Sequence, residues 1–105
     1  VTNTVVEDGM KEKFERFMSD EHIGRKKAIT SKEIENAFQC KGTEVRKIVN
    51  ELRSNGVPIC SSPIGYYYAE TKSEIKDTLA HLESRIKKIE KAKEGMEETL
   101  KTYDE

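Results

Sequence analysis

The sequence predicts a mainly α fold with one β-hairpin: a helical head followed by a long C-terminal heptad helix. Three observations predict it. Val45, Ile48, Val49 and Leu52 recur at i, i+3, i+4 and i+7, the spacing of one helix face. Residues 57–69 are rich in β-branched and aromatic side chains and are divided by Ser61-Ser-Pro-Ile-Gly65, which is turn chemistry. From Ile75 to Tyr103 the apolar positions alternate four and three apart, as in the seam of a coiled coil.

Taken in order, residues 1–8 read as a flexible tail. Met10, Phe14, Phe17 and Met18 fall at helical spacing, so a first helix is expected over about 9–21, with this stripe in the core. His22 to Lys27 is a basic linker, and Ile29 is either a short strand or a plug for the core. Thr30-Ser-Lys-Glu33 is a capping box, in which hydroxyl and carboxylate each satisfy a backbone N–H at a helix start. The helix it opens should reach about Phe38 and bury Ile34, Ala37 and Phe38. Gln39-Cys40-Lys41-Gly42 is a turn, and the helix beyond it stops at Asn55-Gly56, where glycine accepts left-handed backbone. A short helix, a turn with glycine and a second amphipathic helix make a helix-turn-helix. The hairpin follows, with strands from Val57 to Cys60 and from Tyr66 to Ala69, and Pro58 suits the start of a strand. Tyr67 should face one way and Tyr66 and Tyr68 the other. One face should pack on the helices, leaving the other for DNA or for another part of the chain.

Composition narrows the function classes. The chain has 105 residues, 34% apolar and 37% charged, with a net charge of −1. The charge is uneven. Residues 25–53 carry eight basic and four acidic side chains, residues 54–69 carry none, and both ends lean acidic. A local basic patch matters more for binding phosphates than the overall balance. No apolar run reaches the length of a membrane span and no signal peptide is recognisable, so a cytoplasmic protein is expected. Cys40 and Cys60 then read as two thiols rather than a disulfide. With His22 and His81 they lack the spacing of a metal site, so no metal is expected. There is no G-x-S-x-G, no phosphate-binding glycine loop and no His-centred catalytic group, so neither an enzyme nor a cofactor or small-molecule substrate is expected.

The second helix of the motif has two unlike faces. Opposite its apolar stripe lie Thr43, Lys47, Asn50 and Ser54, with Arg46 and Arg53 on the flank. A basic, donor-rich face suits a helix lying in a DNA major groove, and equally an ordinary solvated helix. Here the residues carry a resemblance. Gly42-Thr-x-Val45, Ile48, Leu52-Arg53-x-x-Gly56-Val57-x-Ile59-x-Ser61 and Gly65-Tyr66 resemble the N-terminal winged helix-turn-helix domain of biotin-repressor-type regulators, over about residues 28–69. The same stretch is similar to short winged-helix proteins of phages and mobile elements. The resemblance implies sequence-specific binding of double-stranded DNA, by a small transcriptional regulator or a phage-type replication or repression factor. Ser31 and Lys32 would hold phosphate at the start of the first helix of the motif. Lys41, Thr43, Arg46, Lys47 and Asn50 would reach base edges or nearby phosphates, and Ser61 and Ser62 would let the wing touch backbone. Glu44 and Glu51 dilute the basic face. Ligase chemistry is not carried over, because residues 70–105 read as a helix rather than an enzymatic domain.

That helix completes an organisation of tail, winged head over 9–69 and heptad helix over 70–105. Ile75, Leu79, Leu82, Ile86, Ile89, Lys93, Met96 and Leu100 form the seam, with Lys93 as its one polar position. Thr71 or Ser73 can cap its start, and Glu83–Lys87 and Glu97–Lys101 can pair one turn apart. About 30 helical residues span about 45 Å, against about 28 Å for a head of about 65 residues, so the distal half needs another chain. A homodimer is expected. The competing function is a protein-interaction or scaffold module that works through this helix and binds no DNA.

Overall fold

The computed structural model describes the backbone of residues 2–103 and the side chains of residues 9–103. The elements are α1 (Thr2–Glu21), a 3-10 turn (Arg25–Lys27), α2 (Ser31–Phe38), α3 (Gly42–Ser54), β1 (Ile59–Ser62), β2 (Gly65–Tyr68) and α4 (Lys72–Thr102). The fold is mainly helical, with a two-stranded antiparallel hairpin and a long C-terminal helix, and it divides into two units, Val1–Ile75 and Lys76–Glu105. Among the described residues no helix is long and apolar enough to cross a membrane.

Helix α1 starts ahead of its apolar stripe. The tail expected over 1–8 falls on residues whose side chains lie outside the described set, and from Thr2 their backbone continues the helix. The stripe itself behaves as expected, with Phe14 and Met18 buried and Met10 and Phe17 half-buried against the same core.

Every later helix of the chain opens with the same device, a glutamate at its third position that turns back to the residue before the helix. In α2, Glu33 N donates to Thr30 Oγ1 (3.1 Å) and Thr30 N donates to Glu33 Oε1 (3.0 Å). In α3, Lys41 N donates to Glu44 Oε1 (3.1 Å). In α4, Glu74 N donates to Thr71 Oγ1 (3.3 Å) and Thr71 N donates to Glu74 Oε1 (3.2 Å), so Thr71 is the cap. Each pair satisfies N–H groups that a helix start leaves without partners.

The helix ends follow the same logic. Gln39 closes α2 in left-handed backbone (φ 50°), and Cys40 N donates back to Glu35 O (3.0 Å). At the end of α3, Gly56 takes φ 86°, Gly56 N donates to Arg53 O (3.0 Å) and Val57 N to Leu52 O (2.9 Å). This is a Schellman motif, and it turns the chain back so that Val57 packs on the core beside Leu52. All four stripe residues of α3 are buried. On α2 only Ile34 is buried outright. Phe38 is half-buried, its ring edge-on to Phe14 (5.8 Å) and Phe17 (5.4 Å). Ala37 is exposed, against expectation, because eight residues make only two turns and Ile34 and Phe38 already fill their inner side.

In the hairpin Ile59 pairs with Tyr68, Cys60 with Tyr67, Ser61 with Tyr66 and Ser62 with Gly65. The opposite side of β2 is also occupied. Ile29 and Tyr66 exchange two backbone bonds (2.8 Å each), Gly24 N donates to Tyr68 O (2.8 Å), and Tyr68 N donates to His22 O (2.7 Å). Ile29 is therefore both a short bridge and a core plug, since its side chain is buried as well. Tyr67 is buried while Tyr66 and Tyr68 are half-buried, as the alternation predicts. Neither face of the hairpin is wholly open: Ile59 enters the helical core, and Cys60 on the other face is buried with its S–H donating to Glu74 O (3.6 Å).

Glu74 joins three segments. Its Oε1 also accepts from Glu70 N (2.7 Å), and its Oε2 accepts from Arg25 N (3.0 Å). The Glu70 N–H first, then that of Arg25, hold its carboxyl below the usual carboxylate range, since both favour the charged form. The backbone and then the hydroxyl of Thr30 lower Glu33 in the same way. A carboxyl whose pKa is lower folded than unfolded adds stability above the ordinary range, and that stability is lost as pH falls through the lowered value. The unfolding free energy should therefore drop on acidification from about pH 5 to about pH 3. Glu74→Gln should show a shallower drop in urea titrations across that window, and an unchanged slope would remove Glu74 from the account.

In the second unit, α4 runs on as regular helix. Leu79, Ile86, Ile89, Met96 and Leu100 are exposed by 51–71% of their surface and Leu82 is half-buried, so most of the heptad pattern is uncovered among the described residues. Glu97 pairs with Lys93 (3.9 Å) and Lys101 with Glu98 (3.1 Å), not Glu97 with Lys101. Exposed pairs of this kind contribute at most about 1 kcal/mol, so either choice is open to the side chains.

Candidate nucleic-acid interface

Helix α3 is oriented by its stripe. With Val45, Ile48, Val49 and Leu52 buried, helix geometry turns Thr43, Arg46, Lys47 and Asn50 outward, and all four are exposed. Lys41 is exposed just before the helix, and Lys32 is exposed in the first turn of α2. The acidic residues within this surface have work inside the fold. Glu44 holds the Lys41 amide, and Glu51 pairs with Lys11 of α1 (3.6 Å).

The three serines expected to touch phosphate are differently placed. Ser31 is half-buried and its Oγ donates to Glu35 Oε2 (3.1 Å). Ser61 Oγ accepts from Arg53 Nη2 (3.2 Å), and Ser62 Oγ accepts from Ile64 N (3.2 Å). Their hydroxyls serve the fold first. Sequence reasoning also missed the role of Arg53, which is half-buried. Its Nε donates to Ile59 O (2.7 Å), and together with the Ser61 bond this braces the end of α3 against β1. No local pattern announces it, because both partners lie beyond the turn at Gly56.

Both cysteines are free thiols. Burial first, then Glu44 and Glu35, push the Cys40 thiol up, and Cys60 is buried. Among the described residues no three His, Cys, Asp or Glu side chains are grouped so as to hold a metal ion. No protein-family model matches the chain, and no curated protein or solved structure matches it.

Proposed function

We propose that residues 9–69 form a winged helix-turn-helix that binds double-stranded DNA in a sequence-specific manner, with α3 in the major groove. The observation that supports it is the division of α3: a fully buried apolar stripe backs an outward face of Thr43, Arg46, Lys47 and Asn50, within the segment that holds the chain's positive surplus. A small cytoplasmic regulator, or a phage-type replication or repression factor, is the role this fits. Arg46→Ala and Lys47→Ala should each weaken duplex binding with the fold intact, since both side chains lie outside the core. Loss of a phosphate contact should reduce the log–log salt slope by about one, and loss of a base contact should relax preference at one position. Unchanged affinity in both variants would favour the interaction-module alternative.

The exposed seam of α4 supports pairing of two copies as a parallel coiled coil. With Leu79, Ile86, Lys93 and Leu100 at a positions, the e positions are Lys76, Glu83, Glu90 and Glu97, and Arg85 is at g. A parallel pair sets Arg85 against Glu90 of the partner subunit. An antiparallel pair sets glutamate against glutamate, which repels. Lys93 can extend its ammonium to water. Two heads on a two-fold axis favour an inverted-repeat site. The full chain should sediment as a dimer at tens of micromolar, and a chain ending at Tyr68 as a monomer. A monomeric full chain would overturn the pairing.

A further inference from the structure

The tip of the hairpin carries no cation to neutralise phosphate. Residues 54–69 hold no charged side chain, and the hydroxyl oxygens of Ser61 and Ser62 accept bonds from within the chain. What the tip presents is apolar carbon. Pro63 and Ile64 are the two loop residues between paired Ser62 and Gly65; both are exposed, Ile64 by 55%. A single exposed isoleucine is ordinary on a protein surface. This one differs in that its backbone N–H is bonded within the turn and the strand leading to it is bonded to the end of α3. Ile64 N is tied to Ser62 Oγ, Gly65 is pressed against the Ile29 carbonyl, and Tyr66 is bonded on both sides. Arg53 lies one turn beyond Asn50 on α3 and bonds Ser61 directly, so the strand leading to the tip is braced to the flank of the outward face.

A stiff, uncharged, apolar projection beside a groove-reading helix is suited to wedging rather than to neutralising phosphate. Proline fixes its own φ and β-branched isoleucine has few rotamers, so neither side chain folds away when pressed against a base stack. We infer that Pro63–Ile64 enters the minor groove next to the α3 site and partly unstacks one base step, kinking the duplex. The inference rests on the DNA-binding proposal above. It adds a shape preference: flexible pyrimidine–purine steps, which unstack most easily, should be enriched where the tip lands, with no base-edge contact there.

The test uses the full chain and short duplexes recovered from a random pool, labelled at their two ends with a donor and an acceptor dye. Wild-type protein should raise energy transfer as it binds. Ile64→Ala should bind the same duplexes with the rise in transfer abolished, and Ile64→Met, which keeps an apolar wedge, should retain it. The side chain is exposed, so all three proteins should share one far-UV spectrum. Binding without a rise in transfer, or an equal rise with Ile64→Ala, overturns the wedge and leaves DNA binding standing. Recovery of no duplex from the pool overturns both.

Discussion

Leu52→Ala should destabilise the protein by about 2–5 kcal/mol, the usual range for emptying a buried leucine site. Leu52 is 2% exposed and lies in one cluster with Phe14, Met18, Val45, Val49 and Ile59. Its surroundings cannot close over the void easily. Its own carbonyl accepts the Val57 amide that ends α3, so the backbone on either side is committed to the turn. The first unit ends at Ile75, and a domain of this size buries little surface, so a loss of this size is a large share of its stability. Urea unfolding followed by far-UV circular dichroism, at one fixed protein concentration, measures it. A loss below about 0.5 kcal/mol, in the range of surface substitutions, would mean that α3 does not pack through this stripe.

Gly65→Ala should be at least as damaging, about 3 kcal/mol or more, for a different reason. Gly65 has φ 145°, where side chains are strained, and an added Cβ would land on the carbonyl oxygen of Ile29 and 3.0 Å from Thr30 N. Strained backbone costs about 1–3 kcal/mol and overpacking about as much again. The colliding atoms are backbone and cannot swing aside, so relief requires separating Ile29 from Tyr66 and breaking both of their bonds. Gly56→Ala is the control. It too has positive φ, 86°, but nothing within 4 Å of the added Cβ, so it should cost about 1 kcal/mol. Equal losses for the two would show that steric collision at Ile29 is not the cause.

Much of this architecture is legible in the sequence because it rests on local chemistry. The α3 stripe, the Thr30–Glu33 box, the stop at Gly56 and the alternation of Tyr66 to Tyr68 are each written within a few residues. What escapes is set by partners distant in sequence, or by atoms whose residue type hides their use. Lysine has no acceptor, so Lys41 does not look like a helix cap; the work is done by its backbone N–H and Glu44. Covering of the Cys60 face depends on Glu74, fourteen residues on. The candidate site divides in the same way. The outward cations and amide of α3 follow from periodicity alone, whereas the occupation of Ser31, Ser61 and Ser62 by intrachain bonds follows only from the folded geometry.

The brace between Arg53 and β1 also bears on aggregation. An unpaired strand edge is a template on which a second chain can add, and hairpins are prone to it. In β2 the outward backbone groups of Tyr66 and Tyr68 are taken by Ile29, Gly24 and His22. In β1 the outward groups of Ile59 are taken at both ends, its N–H by Val57 O (2.9 Å) and its carbonyl by Arg53 Nε (2.7 Å). Pro58 and Pro63 flank the strand, and neither has an N–H to offer a neighbour. Both outward groups of Ile59 are thus occupied at the start of the β1 edge, which shortens the stretch of hairpin edge on which a second chain could add.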